Sequence, residues 1–150
     1  MRSIALDDLL QSEHSGASFH DASVDGYYFD ARSSSLQLYV RVAFYAPAGG
    51  APRYIPGVLT FSEVLSFQVE APDPGSSRRR HDGLWLTADG PAESLPPDHG
   101  TPPALPDVLP DGAFHHYLYF SDVNAFMFIA ALDAKFVWGG VADERRGGAV

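Results

Sequence analysis

"LQLYVRVAFY", residues 36 to 45, alternates Leu36, Leu38, Val40, Val42 and Phe44 with Gln37, Tyr39, Arg41, Ala43 and Tyr45. A period of two sends the first set to one face of an extended chain and the second to the other. The stretch therefore reads as a strand buried on one face. Upstream, "ASVDGYYFDA" reads as its hairpin partner, with "RSSS" at 32 to 35 as the connection and Gly26 as a bulge. Downstream, "LTFSEVLSFQVE" keeps one phase through Leu59, Phe61, Leu65, Phe67 and Val69, which predicts a single long bent strand.

The same period recurs further out. "GLWLTA", 83 to 88, predicts a shorter strand in which Leu84 and Leu86 flank Trp85. "FHHYLYFSDVNAFMFIAALDAKFVWG" predicts two or three strands that turn at "SDVN" and near Leu132-Asp133. Ahead of all of them, "IALDDLLQ", residues 4 to 11, predicts a short helix with Ile4, Leu6, Leu9 and Leu10 inward, stable only if it docks on a core. Seven prolines between Asp89 and Gly112 remove the backbone donors that a helix or a central strand needs, so 89–112 is expected as a long loop. Spacings such as "PALP" there resemble ligands for aromatic grooves, and loop packing accounts for them as well. Residues 141–150 are expected to be a disordered tail.

The expected architecture is mainly β: an antiparallel β-sandwich or strongly curved sheet of about seven strands with a short N-terminal helix, forming one domain over 1–140. A chain of 150 residues, 45% hydrophobic, suits a single core. With no cysteine, disulfides, thiolate metal sites and cysteine nucleophiles are excluded. Nineteen acidic against ten basic residues give a formal charge of −9, which excludes a nucleic-acid surface and favours a basic partner or simple solubility. The concentrated positive charge of "SRRRH", 77 to 81, reads as a solvated loop. The N-terminus is too short and too acidic for a signal peptide and no run reaches transmembrane length, so no membrane is expected and a cytoplasmic location is.

Chemistry has few footholds. GxGxxG, Walker A, GxSxG, HExxH and EF-hand patterns do not occur. Histidine remains, at His20-Asp21, His81-Asp82 and His115-His116. A carboxylate can orient a metal-binding imidazole, so His20 and Asp21 are the candidates for a metal or acid/base site. The competing and favoured reading makes Asp21 a structural acceptor for backbone N–H groups at a strand entrance, with His20 donating to a carbonyl across the sheet. Alternation places His116 with Phe114, Leu118 and Phe120, and His115 with Tyr117 and Tyr119, so the two histidines do not share an ion. Tyr27, Tyr39, Tyr45, Tyr117 and Tyr119 are candidate partner-binding residues if their faces coincide.

Three phrases carry a family resemblance: F-H-D-A from Phe19 to Ala22, T-F-x-x-V-x-x-F from Thr60 to Phe67, and the closing hairpin. In these the chain resembles a loose group of small uncharacterised bacterial β-rich proteins that includes predicted immunity proteins of the Imm50 type. The resemblance implies a β-rich fold and neutralisation of a toxin by binding, and it supplies no catalytic residues or cofactor. The expectation is a non-catalytic bacterial binding protein, an immunity-like inhibitor of a basic toxin partner. The alternatives are a small metal-dependent hydrolase or metal-binding protein using His20 and Asp21, and a β-sandwich with an apolar ligand pocket.

Overall fold

The computed structural model describes residues 1–10, 16–73 and 83–139. The alternating stretch forms β2, Ser35–Phe44, and buries Leu36, Leu38, Val40 and Val42. It pairs antiparallel with β1, Ala17–Asp30, on one side and with β3, Arg53–Val69, on the other. β4 (Leu84–Pro91), β5 (Phe114–Phe120) and β6 (Ala125–Trp138) complete a closed barrel in the order β1-β2-β3-β6-β5-β4. The mainly β, antiparallel architecture is as the sequence predicts, with six strands and with curvature carried to closure. Closure gives each of the six strands a neighbour on both sides. It rests on a short seam, in which Ala22, Ser23 and Val24 of β1 face Leu86, Trp85 and Leu84 of β4.

The turn expected near Leu132-Asp133 is not there: β6 runs through it without a break. What changes at that point is the inward face. Met127, Ile129 and Ala131 enter the core from one phase, while Ala134, Phe136 and Trp138 pack against it from the other. β3 switches at the same rung, from Phe61 to Val64, around Glu63, whose φ of 51° is left-handed. Paired strands that coil sharply must exchange faces together, and the break in hydrophobic phase reads in sequence like a turn.

The N-terminal segment is a single 3-10 turn, Leu6–Leu10, in place of the expected helix. It is too short to sustain an α-helix, and it is held by docking, with Leu6 and Leu10 buried as expected. The Trp138 Nε1–H donates to the Leu10 carbonyl at 3.2 Å. β4 extends through Pro91, later than the expected start of the Pro-rich loop, because a proline at a strand end withholds no needed ladder bond. Beyond it a turn at Ala92–Ser94 lays Ala92 and Leu95 against Phe126, Phe128, Tyr117 and Tyr119. This second apolar cluster lies outside the barrel and the main core within it. "SRRRH", His81-Asp82 and the tail 141–150 lie outside the described residues.

Candidate functional site

Asp21 sits in a wide bulge of β1. Ala17 and Ser18 pair with Phe44 and Ala43, and pairing resumes only at Ser23 with Arg41, so Phe19 to Ala22 stand against Val42 alone. Phe19 drops fully into the core, and Asp21 adopts φ 68°, which turns its carboxylate outward. There its two oxygens take two aromatic side chains. The Tyr45 hydroxyl donates to Oδ2 at 2.7 Å and the Trp85 Nε1–H donates to Oδ1 at 3.1 Å. The Tyr45 phenol is pushed up to about 12, first by this hydrogen bond to Asp21, then by desolvation and by the charges of Asp21 and Tyr54. Both rings stay open to solvent, Tyr45 at 40% and Trp85 at 48% exposure.

The backbone-acceptor role expected of Asp21 belongs to Asp7. Its carboxylate accepts the Phe19 N–H and the Ser18 hydroxyl, each at 2.8 Å, from the docked N-terminal turn. Asp21 accepts instead from the side chains of Tyr45 and Trp85. His20 stands with Nε2 3.7 Å from Asp21 Oδ1, beyond hydrogen-bond range, and its side chain is 65% exposed. Among the described residues no three His, Cys, Asp or Glu side chains gather in a way that could hold a metal ion.

The second part of the site adjoins the first through the turn 121–124. Asp122 Oδ1 accepts the Trp85 N–H at 3.2 Å, while Asn124, three residues from Ser121 in the same turn, lines a half-open groove of about 480 Å³. Tyr117, Tyr119 and Phe126 form its aromatic part, with ring centroids 4.7 Å apart for Tyr119–Phe126 and 6.0 Å for Tyr117–Phe126. Leu95 and Pro96 wall it and Asp98 and His99 reach its rim. The Tyr119 hydroxyl donates to Asn124 Oδ1 at 3.0 Å, and Asn124 Nδ2 donates to Asp73 Oδ2 at 3.2 Å. Glu70 Oε2 accepts the Phe126 N–H at 3.0 Å. Burial, and then the charge of Asp89, raise the Tyr117 phenol above its ordinary value.

The five sequence-picked tyrosines therefore separate. Tyr117 and Tyr119 share the groove and Tyr45 joins Asp21, whereas Tyr27 packs edge-on against Phe67 at 5.8 Å and Tyr39 donates to Gln37 at 3.2 Å. The two adjacent histidines separate as alternation predicts. His116 is inside, 1% exposed, with Nε2 2.7 Å from Asp89 Oδ2. His115 is outside but covered, at 6% exposure, beside the Phe128 ring, and its Nε2 has no hydrogen-bond partner among the described residues. Burial lowers the His115 imidazole below its ordinary value, against the opposing charge of Glu93 and with that of His116.

Sequence reasoning missed Trp85, Asp122, Asn124, Phe126 and Asp89 as functional candidates. Trp85 had a usable signal, since Leu84 and Leu86 facing inward put it outside. Asn124 and Phe126 had one in the predicted turn at "SDVN", which sets them near Tyr119; Asp122 and Asp89 had none, because their partners lie 37 and 27 residues away. No family model matches the chain and no curated relative matches it. A solved structure of an uncharacterised protein from Neisseria gonorrhoeae is similar at 15% identity and a TM-score of 0.45, covering 80% of this chain and 93% of that one.

Proposed function

We propose that the protein is a non-catalytic binding domain that recognises a basic protein partner, in the manner of an immunity-like inhibitor of a bacterial toxin. One observation carries the reading: Asp21, in a left-handed conformation, fixes two exposed aromatic side chains, Tyr45 and Trp85, on one outer face of the barrel. Tryptophan and tyrosine dominate the binding energy of protein interfaces, and rings already held in place lose little freedom on binding. Aspartate adopts the left-handed conformation more readily than most residues, and here that conformation turns the carboxylate outward to both rings while Phe19 enters the core. Asp21 and Asp122 beside the rings, with the net charge of −9, support a basic partner through steering and complementarity.

The experiment is co-expression with the products of the genes on either side of its own. A growth-arresting neighbour should be neutralised by the wild-type chain and not by Trp85→Ala, and the complex should associate more slowly as salt rises. If no adjacent product is bound or neutralised, or if Trp85→Ala neutralises as well as wild type, the reading fails.

A further inference from the structure

The groove beside the Trp85 face has a definite chemical character. The half-buried Tyr117 and Tyr119 rings line it, with Phe126, 7% exposed, packed against both. Its polar groups are acceptors or can act as acceptors: the Asp98 carboxylate, a second lone pair on Asn124 Oδ1, the Tyr119 oxygen and the His99 ring. Among the described residues, no lysine or arginine lines it. Two further carboxylates stand immediately behind, Asp73 bonded to Asn124 and Glu70 bonded to the Phe126 N–H. Aromatic faces under a negative field attract cations, whereas an anionic or acceptor-rich ligand would set its lone pairs against those of the groove.

Shape narrows the class. Tyr119 packs on Phe126 at 4.7 Å and 33°, which fixes the half-buried Tyr119 ring as a surface against which a flat group can lie, with Asp98 and Asn124 lining the same groove. A guanidinium is planar, weakly hydrated, and donates in its own plane while its face stacks on a ring; a lysine ammonium is compact and strongly hydrated. About 480 Å³ exceeds what one side chain fills, leaving space for the flanking backbone of a protein segment. The groove also continues the face already assigned to partner recognition, since the turn 121–124 supplies Asp122 to Trp85 and Asn124 to the groove. We propose that it receives an arginine side chain of the basic partner, an inference that rests on the binding reading above and names what the partner must present.

The test uses the whole chain, ¹⁵N-labelled, titrated with arginine amide, with its neutral isostere citrulline amide, with lysine amide, and with the peptide acetyl-Gly-Arg-Gly-amide. Arginine amide and the peptide should shift the Tyr117, Tyr119 and Phe126 resonances saturably and with similar dissociation constants. Citrulline amide should bind at least tenfold more weakly, and lysine amide several-fold more weakly. Asp98→Asn, at an exposed position, should weaken the arginine probes about fivefold, as should Tyr119→Leu, while Val137→Ala, exposed near the C-terminal end of β6 and outside the groove, leaves them unchanged. Citrulline binding as well as arginine, lysine binding as tightly, or shifts spread over the acidic surface and indifferent to Asp98→Asn, would overturn the assignment. Binding of free arginine amide but not of the peptide would overturn the protein source. If the arginine probes fail while Trp85→Ala still abolishes neutralisation, the groove assignment falls and the binding reading stands; neutralisation lost from the wild type with the probes bound has the opposite meaning.

Discussion

The molecule holds two histidine–aspartate pairs, and they are opposites. His20 and Asp21 are neighbours in sequence, yet their side chains stand 3.7 Å apart on the surface and each looks elsewhere. His116 and Asp89 are 27 residues apart on adjacent strands, yet they meet at 2.7 Å with the imidazole 1% exposed. Adjacency along a strand throws side chains to opposite faces, whereas neighbouring strands place residues side by side on one face. The contact that matters for stability was therefore the one without a motif. The pair with a motif is tied to recognition, through Tyr45 and Trp85 and not through its histidine.

The largest expected effect tests that contrast directly. Asp89→Ala strands the buried His116 ring and should cost roughly 1 to 3 kcal/mol, with a melting temperature lower by about 2 to 4 °C for each kcal/mol. Asp89→Asn keeps a carbonyl acceptor and should cost less. Thermal unfolding of both variants beside Asp21→Ala breaks the comparison if Asp89→Ala proves the mildest of the three.

Next is acid. The buried His115 ring, lowered by desolvation, resists protonation in the folded state, while the unfolded chain takes up the proton near the ordinary value of 6.5. Its contribution to stability is therefore flat above that pH and is lost progressively as pH falls below it. The urea midpoint of wild type should drop between pH 7 and pH 5 more than that of His115→Leu; equal drops would remove His115 from the account.

A smaller effect on stability, and a larger one on the surface, is expected from Asp21→Gly. Glycine relieves the left-handed strain of about 1 to 2 kcal/mol, while two exposed hydrogen bonds of about 0.5 to 1.5 kcal/mol each are lost. The net change in stability should be near zero. The Tyr45 phenol, held at about 12 by Asp21, should return toward 10.0 in the variant, read by ultraviolet difference titration. Because the folded value is raised, the wild type's gain from neutral Tyr45 is present below pH 10 and is lost as pH climbs toward 12. A phenol that still titrates near 12 in Asp21→Gly would dismiss the pin. Smallest of all, His20→Ala should stay within about 0.5 kcal/mol of wild type, and a measured loss beyond that in chemical denaturation would restore His20 to a working pair.

The sequence by itself determined the strands and their faces. β2, the hairpin it makes with β1, the continuity of β3 from Leu59 to Val69, the inward Leu6 and Leu10, and the division of His115 from His116 all follow from a period of two or from short-range burial, which neighbouring residues suffice to express; the start of β3 at Arg53 does not. Tertiary structure decided the rest. Whether curved strands stack as two sheets or close depends on coil accumulated over all six ladders, including the face exchange at Glu63 and Leu132-Asp133 that imitated a turn. The Phe19–Ala22 bulge depends on the register that β2 and β4 impose on β1 from opposite sides. Once the barrel shuts, that register brings residues 21, 45 and 85 to one point, and the β4–β5 ladder sets the Asp89 side chain diagonally against His116. No local pattern encodes such meetings, because each partner's position is fixed by strand order and not by its own neighbours in the chain.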